Sequence, residues 1–232
     1  IRAINATGFG LTFGLHTRID DVVDAVSATV EVGNIYINRN MVGAVVGVQP
    51  FGGHGLSGTG PKAGGPLYLH RLTRPAPGAV LLAGGTAPEV AGEYLAWLRE
   101  RGYRVEAEAV ARLVATTPVG VLRDLAGPVG EQNLYSVRPR GDVLVRPVTP
   151  LGLRVQIGAA LASGNRAQVL ASPGLRSAIE AALQEMPEVF RAGIRVLGAL
   201  ADAPTLTAAL VEEPGTSGIL HDLAALPGPL VT

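Results

Sequence analysis

The stretch Gln49–Gly65, QPFGGHGLSGTGPKAGG, constrains this chain more than any other, because seven of its seventeen residues are glycine. Glycine is used where a backbone must take a positive φ or come close to a ligand with no Cβ in the way. A flexible glycine and serine spacer has no use for Pro50, Phe51, Pro61 and Lys62, which stiffen, pack and charge particular points. The stretch therefore reads as a built loop. Gly53, Gly55 and Gly58 satisfy a G-x-G-x-x-G spacing. That fingerprint binds a dinucleotide only when a strand runs into the first glycine, a helix opens after the third, and an acidic residue follows about twenty residues on. Here Gln49-Pro50 precedes it and Gly60-Pro61 follows, so the context argues against the nucleotide reading.

At 232 residues the chain can bury one good core or two small ones, since domains commonly run to about 100–150 residues; two is the expectation. Apolar residues make up 47% of it, yet no run approaches the ~20 that a membrane helix needs. The start shows no basic region leading into an apolar core and a cleavage site, and Ile1 is not methionine. The expectation is a soluble piece of something longer. The absence of cysteine excludes disulfides, thiolate metal sites and a cysteine nucleophile within these residues. Formal charge is zero; the 19 basic residues are Lys62 and arginines, dispersed among 19 acids. A nucleic-acid binder clusters its cations on one face, so no nucleic-acid contact is expected.

Along the chain, Phe9–His16 alternates like a short strand, and Asp20-Asp21 opens a helix in which Ile19, Val22, Val23, Val26 and Val30 keep helical spacing up to Gly33. Asn34–Asn38 reads as a strand feeding the glycine loop, Met41–Val48 as a connector, and Pro66–Arg71 as a short helix. Two prolines and a glycine between Leu72 and Gly78 mark a border at about residue 78. Beyond it the pattern predicts a strand over Ala79–Ala83, then a helix over Pro88–Arg101 with Val90, Tyr94, Leu95, Trp97 and Leu98 on one stripe, stopped by Gly102. A strand is expected over Tyr103–Ala107 and a short helix over Ala109–Thr116. Further elements are read at Gln132–Arg138 and Asp142–Pro147, followed by a helix over Leu151–Ala162 capped by Gly164-Asn165. A strand at Gln168–Leu170, a helix over Pro173–Glu185 and a strand at Ile194–Leu197 complete the pattern. Repeated βα units point to a parallel sheet.

Asn38, Pro50-Phe51-Gly52-Gly53 and Ser57-Gly58-Thr59-Gly60 resemble the C-terminal signature of the aldehyde dehydrogenase superfamily. The longer stretch Val42–Leu72 is closer still to the glutamate-semialdehyde dehydrogenase module of the bifunctional proline utilization A family. In the second half, Ala159–Asn165 matches the superfamily's helix ending in ALAAGN, and Gly193–Leu197 sits where its nucleotide-binding domain has a PxGVxNVV strand. Two departures stand out. Leu170-Ala171-Ser172 takes the place of a Lys-Pro-Ser whose lysine holds the adenosine ribose, and an aromatic-asparagine motif is missing near Pro147–Pro150.

The resemblance implies an α/β fold class: the end of an aldehyde dehydrogenase catalytic domain (1–78), then a degenerate Rossmann-like aldehyde dehydrogenase-type C-terminal domain (79–232) in a lid or interaction role. It implies a parent that oxidises proline with FAD and then glutamate semialdehyde with NAD. No cofactor is expected on this fragment alone. The family places its cysteine nucleophile and its water-activating glutamate upstream, so the fragment is not expected to be a complete catalyst. The implied partners are the rest of the parent chain and glutamate semialdehyde, with a homo-oligomer left open. The implied location is cytoplasmic, with a peripheral position at the inner membrane face also open. A non-catalytic oligomerisation or lid module, and a monofunctional dehydrogenase with an unrelated tail, are the alternatives.

The substrate-binding candidates are Phe51, Ser57, Gly64 and Gly65. Gly64 and Gly65 line up with the family loop whose backbone N–H groups anchor the α-carboxylate of glutamate semialdehyde, chemistry that bare amides perform well; two turn glycines are the plainer reading. Phe51 resembles the aromatic wall of the aldehyde pocket and also suits core packing. Ser57 is as well suited to capping the loop. Lys62 is placed either to attract a carboxylate or to sit in solvent, and Asn38 to fix the loop's backbone. His16, His54, His70 and His221 have no metal spacing and read as structural or exposed.

Overall fold

The computed structural model describes residues 1–73, 82–203, 205–213 and 216–232. The expected border near residue 78 and most of the strand expected over Ala79–Ala83 lie outside these residues. The chain forms two units: Ile1–Ala79 with Arg123–Tyr135 and Pro227–Leu230, and Val80–Leu122 with Ser136–Leu226 and Val231–Thr232.

The first unit contains α1 (Arg2–Asn5), β1 (Phe9–Gly10), β2 (Thr12–Leu15), α2 (Asp20–Thr29), β3 (Asn34–Ile37), β4 (His54–Gly55) and α3 (Tyr68–Leu72). β2, α2 and β3 make a βαβ step whose strands pair in parallel from Thr12↔Asn34 to Leu15↔Ile37. α2 stops four residues before Gly33 because its end is tied off. The Asn5 side chain donates to the Thr29 carbonyl (2.8 Å) and accepts from the Glu31 N–H (3.1 Å), and Val30 turns extended. β1 pairs antiparallel with β4, which pins the glycine loop to the start of the chain. The strands β5 (Leu122–Leu125) and β6 (Asn133–Ser136) pair with each other, and the turn between them belongs to this unit.

The second unit is the parallel layer that the βα rhythm predicts. It runs α4 (Glu89–Glu100), α5 (Arg104–Thr116), β7 (Asp142–Arg146), α6 (Pro150–Ala162), β8 (Arg166–Val169), α7 (Arg176–Gln184), α8 (Glu188–Arg191), β9 (Ile194–Val196), β10 (Ala208–Val211) and α9 (Thr216–Ala224). The sheet order is β10-β7-β8-β9, every pair parallel. The period-2 alternation of strands sends Val145, Ala167 and Val169 into one core with Tyr94, Leu98, Val110, Leu153, Ile157 and Ile179. It sends Leu144, Leu170 and Leu197 into another with Leu206, Ile219 and Leu223. Gly164 takes φ 68° after α6, and the Asn165 side chain accepts from the Arg140 and Gly141 N–H groups, which sets the entry to β7.

The strand expected over Tyr103–Ala107 is helix instead. Tyr103, Val105 and Ala107 alternate, but Glu106, Ala107 and Val110 fall on the buried face of α5, and Glu106 pairs with Arg154 of α6 at 3.3 Å. A partner for a buried carboxylate decides that segment, and no local pattern carries it. The helix expected from Pro173 opens with a 3-10 turn at Pro173–Leu175 and is α-helical from Arg176. β5, β10 and α9 have no counterpart in the sequence reading.

Candidate functional site

The glycine loop closes on itself. Phe51 and Ala63 exchange backbone hydrogen bonds in both directions (3.0 and 2.9 Å), forming an antiparallel bridge that brings the two ends of the glycine-rich segment together. Phe51 is half-buried. On the far side, the Leu56 N–H donates to the Gly8 carbonyl (2.8 Å). The Ser57 hydroxyl accepts from the Gly10 N–H (3.1 Å), so in this structure Ser57 ties the loop to β1.

Asn34 is the hub of the loop. At the entry to β3, its amide donates to the Pro50 carbonyl (2.8 Å), while its oxygen accepts from the Gly52 N–H (3.3 Å) and the Lys62 ammonium (3.2 Å). Asn38, the asparagine singled out in the sequence, does different work. It adopts φ 54° and clasps Thr17 through both the N–H (2.9 Å) and the carbonyl (2.8 Å), so it fixes the β2 exit and not the loop. Both residues sit in NIYIN, and nothing in that pentapeptide distinguishes the hub from the clasp. Lys62 is half-buried, and that burial lowers its pKa from 10.5 to about 8.

Gly64 and Gly65, adjacent in sequence, differ physically. The Gly65 N–H donates to the Lys62 carbonyl (3.0 Å). A Cβ on Gly65 would lie 3.0 Å from that oxygen and 3.3 Å from the Pro50 Cβ, so the position is sterically tight. Gly64 sits at φ +74° with open space where a Cβ would point, and its N–H has no acceptor among the described residues. The Gly64 amide is thus unspent on an exposed glycine, two residues from a half-buried lysine.

The connector ahead of the loop is held by the β5–β6 segment, which sequence reading did not associate with it. Arg39 makes a forked contact to both Glu131 carboxylate oxygens (3.0 Å each) and lies over the Tyr36 ring. The Gln49 amide donates to Glu131 and to Asn133 (3.3 Å each). These partners are more than eighty residues apart in sequence, a distance at which no motif links them. Among the described residues no three His, Cys, Asp or Glu side chains are grouped to hold a metal.

Residues 1–76 match the aldehyde dehydrogenase family. Similarity to known proteins continues well past residue 76. Over 233 residues the chain is 46% identical to the bifunctional protein PutA of Rhizobium meliloti, covering 98% of this chain and 18% of that protein. It is also 46% identical over 192 residues to PutA of Escherichia coli (strain K12), covering 72% and 14%. A 1-pyrroline-5-carboxylate dehydrogenase of Bacillus licheniformis matches over 69 residues at 46% identity, 30% of this chain and 13% of that one. The solved structure of proline utilization A from Corynebacterium freiburgense aligns with 89% of this chain and 22% of its own, with a TM-score of 0.53 and 29% identity. The chain thus spans less than a fifth of the length of the curated relatives it matches.

Proposed function

We propose that this chain is the C-terminal part of a bifunctional proline catabolic enzyme. In this reading it supplies the substrate-anchor loop of an NAD-dependent L-glutamate γ-semialdehyde dehydrogenase, followed by a structural domain that binds no nucleotide. The observation that carries the first half is Gly64: an exposed, positive-φ glycine with an unspent N–H, within the segment that matches the aldehyde dehydrogenase family. A substrate carboxylate docks there on the Gly64 amide, in the field of Lys62. Gly65, whose N–H is already engaged by Lys62, shapes the turn. Phe51 walls the aldehyde side, and Ser57 acts through the loop's anchorage to β1.

The whole enzyme takes NAD for the aldehyde step and FAD for the proline step. No residue of this chain supplies the nucleophile, since it has no cysteine; the thiohemiacetal forms on a residue elsewhere in the parent. Residues 79–232, which contain the second unit, read as a nucleotide-binding-like domain in a lid or interaction role. Leu170, standing where the family's ribose lysine belongs, is buried in the core with Leu144 and Leu197, so it offers no donor to a ribose.

The reading is tested on the 232-residue chain itself, which should give no NAD reduction with glutamate semialdehyde and no heat of NAD binding by calorimetry. Measurable turnover would remove the fragment assignment, and micromolar NAD affinity would remove the nucleotide-free domain.

A further inference from the structure

The chain builds the second unit's sheet outward from β7 to β8 and β9, then returns to lay β10 on the other side of β7. In open parallel sheets the crevice beyond the strand ends at such a reversal is where ligands bind, commonly with a phosphate on a helix N-terminus. Here the crevice is formed by the exit of β10 and by the turn that leads from β7 into α6.

That crevice already holds an anion, and the anion belongs to the chain. Glu212 follows β10 directly, and its N–H continues the ladder to the Arg146 carbonyl (3.1 Å). Its carboxylate accepts from the Val148 N–H (2.7 Å), the Thr149 N–H (3.0 Å) and the Thr149 hydroxyl (2.6 Å). The same Thr149 hydroxyl accepts from the Gly152 N–H (2.8 Å) and caps α6. Gly152 is buried, and a Cβ there would overlap the Glu212 carboxylate. Two independent features therefore serve one carboxylate: a fan of donors at the start of a thirteen-residue helix, and a glycine that leaves room for it.

We propose that Glu212 is a built-in anion that closes the switch-point crevice of the second unit to phosphate-bearing ligands, its oxygens standing where phosphate oxygens would be held. This deepens, and rests on, the reading of the second unit as a nucleotide-binding-like domain without nucleotide. Charge completes the exclusion, because an incoming phosphate meets a carboxylate among the donors it needs. The contact also staples β10 to α6, joining the two strand exits that a ligand would otherwise have to bridge.

The experiment uses the 232-residue chain, inorganic pyrophosphate as probe, and sodium chloride at matched ionic strength as control. The unsubstituted chain should show no saturable pyrophosphate binding and no pyrophosphate-dependent rise in Tm. E212A should melt about 5 °C lower and regain stability saturably with pyrophosphate, binding it at least about tenfold more tightly than the unsubstituted chain. E212Q, which keeps the volume and removes the charge, should melt lower than the unsubstituted chain without gaining pyrophosphate binding. A folded E212A that gains no anion binding would overturn the proposal while leaving the nucleotide-free reading intact. An E212Q with unchanged Tm would overturn it however E212A folds. NAD binding by the unsubstituted chain would overturn both.

Discussion

The two units are stabilised in different ways. Among the described residues of the first unit the buried hydrophobic side chains are Val30, Tyr36 and Tyr135, while Phe9 (62%), Val42 (85%), Val46 (97%) and Leu69 (70%) stand exposed. That unit is held by polar fastenings: the Phe51–Ala63 bridge, the Asn34 hub, the Asn5 and Asn38 clasps, and Arg39 on Glu131. The second unit has two closed hydrophobic clusters on the faces of a four-stranded parallel sheet. Burial at roughly 25 cal/mol per Å² of apolar surface stabilises the second unit by itself, whereas the first relies on directed hydrogen bonds. A loop that must present a bare amide gains shape from such bonds, and a scaffold gains stability from packing.

The sharpest way to break this contrast is to attack the polar pair inside the apolar unit. Arg154 and Glu106 are about one-tenth exposed; Arg154 stacks over Tyr103 (3.8 Å) and approaches Glu185 at 4.0 Å. Removing one partner of such a pair leaves a buried charge. Glu106→Leu should therefore cost about 3–5 kcal/mol in urea unfolding, and Glu106→Leu with Arg154→Met should recover most of that loss. An inert single variant would mean that packing alone sets the second unit's stability.

In the first unit, Asn34→Ala should cost about 1–3 kcal/mol, because it strips the Pro50 carbonyl, the Gly52 N–H and the Lys62 ammonium of one shared partner. Asn38→Ala should loosen the turn at Thr17 and leave the loop in place. Amide exchange at Gly52 separates the two; protection lost equally in both variants would dissolve the distinction between hub and clasp.

Lys62 gives a smaller effect with a defined sign. Its folded pKa of about 8 lies below the ordinary 10.5, so between those values the unfolded chain binds the proton that the folded chain lacks. Its contribution to stability therefore rises as pH climbs from 8 to 10.5, and the burial penalty is fully present below 8. Lys62→Met should raise the urea midpoint at pH 7 and lose that advantage towards pH 10.5. Tyrosine titration is common to both chains and cancels in the difference. A midpoint difference that does not change with pH would place the ammonium in solvent.

Periodicity carried most of the second unit. The helices at Glu89–Glu100 and Pro150–Ala162 and the parallel strands β7, β8 and β9 follow from apolar spacing and from Gly102 and Gly164. The end of α5 follows the helix expected over Ala109–Thr116, but its start did not follow, because the Tyr103–Ala107 alternation is overridden by the Glu106–Arg154 pairing. β10, AALV with little polar alternation, and α9, with its glycine at 218, carry weak local signals; their place is set by Leu206, Ile219 and Leu223 closing on Leu144. In the loop, glycine density and the motif marked where to look. They could not reveal that Asn34 is the hub, that the Gly65 N–H is engaged while that of Gly64 is not, or that Glu131 and Asn133 brace the connector. Those are long-range hydrogen bonds between residues with no shared pattern.

The central claim, that Gly64 presents its amide to a substrate carboxylate, is tested most directly by steady-state kinetics of Gly64→Val in the full-length bifunctional enzyme, with glutamate semialdehyde beside an aldehyde that lacks the α-carboxylate. A backbone hydrogen bond to a carboxylate is worth about 1.5–3 kcal/mol. The variant should therefore lose about ten- to a hundredfold in kcat/KM for glutamate semialdehyde, chiefly through KM, with NAD binding, proline oxidation and the carboxylate-free aldehyde nearly unchanged. An equal loss with both aldehydes would mean that the substitution deforms the loop and that Gly64 anchors no carboxylate.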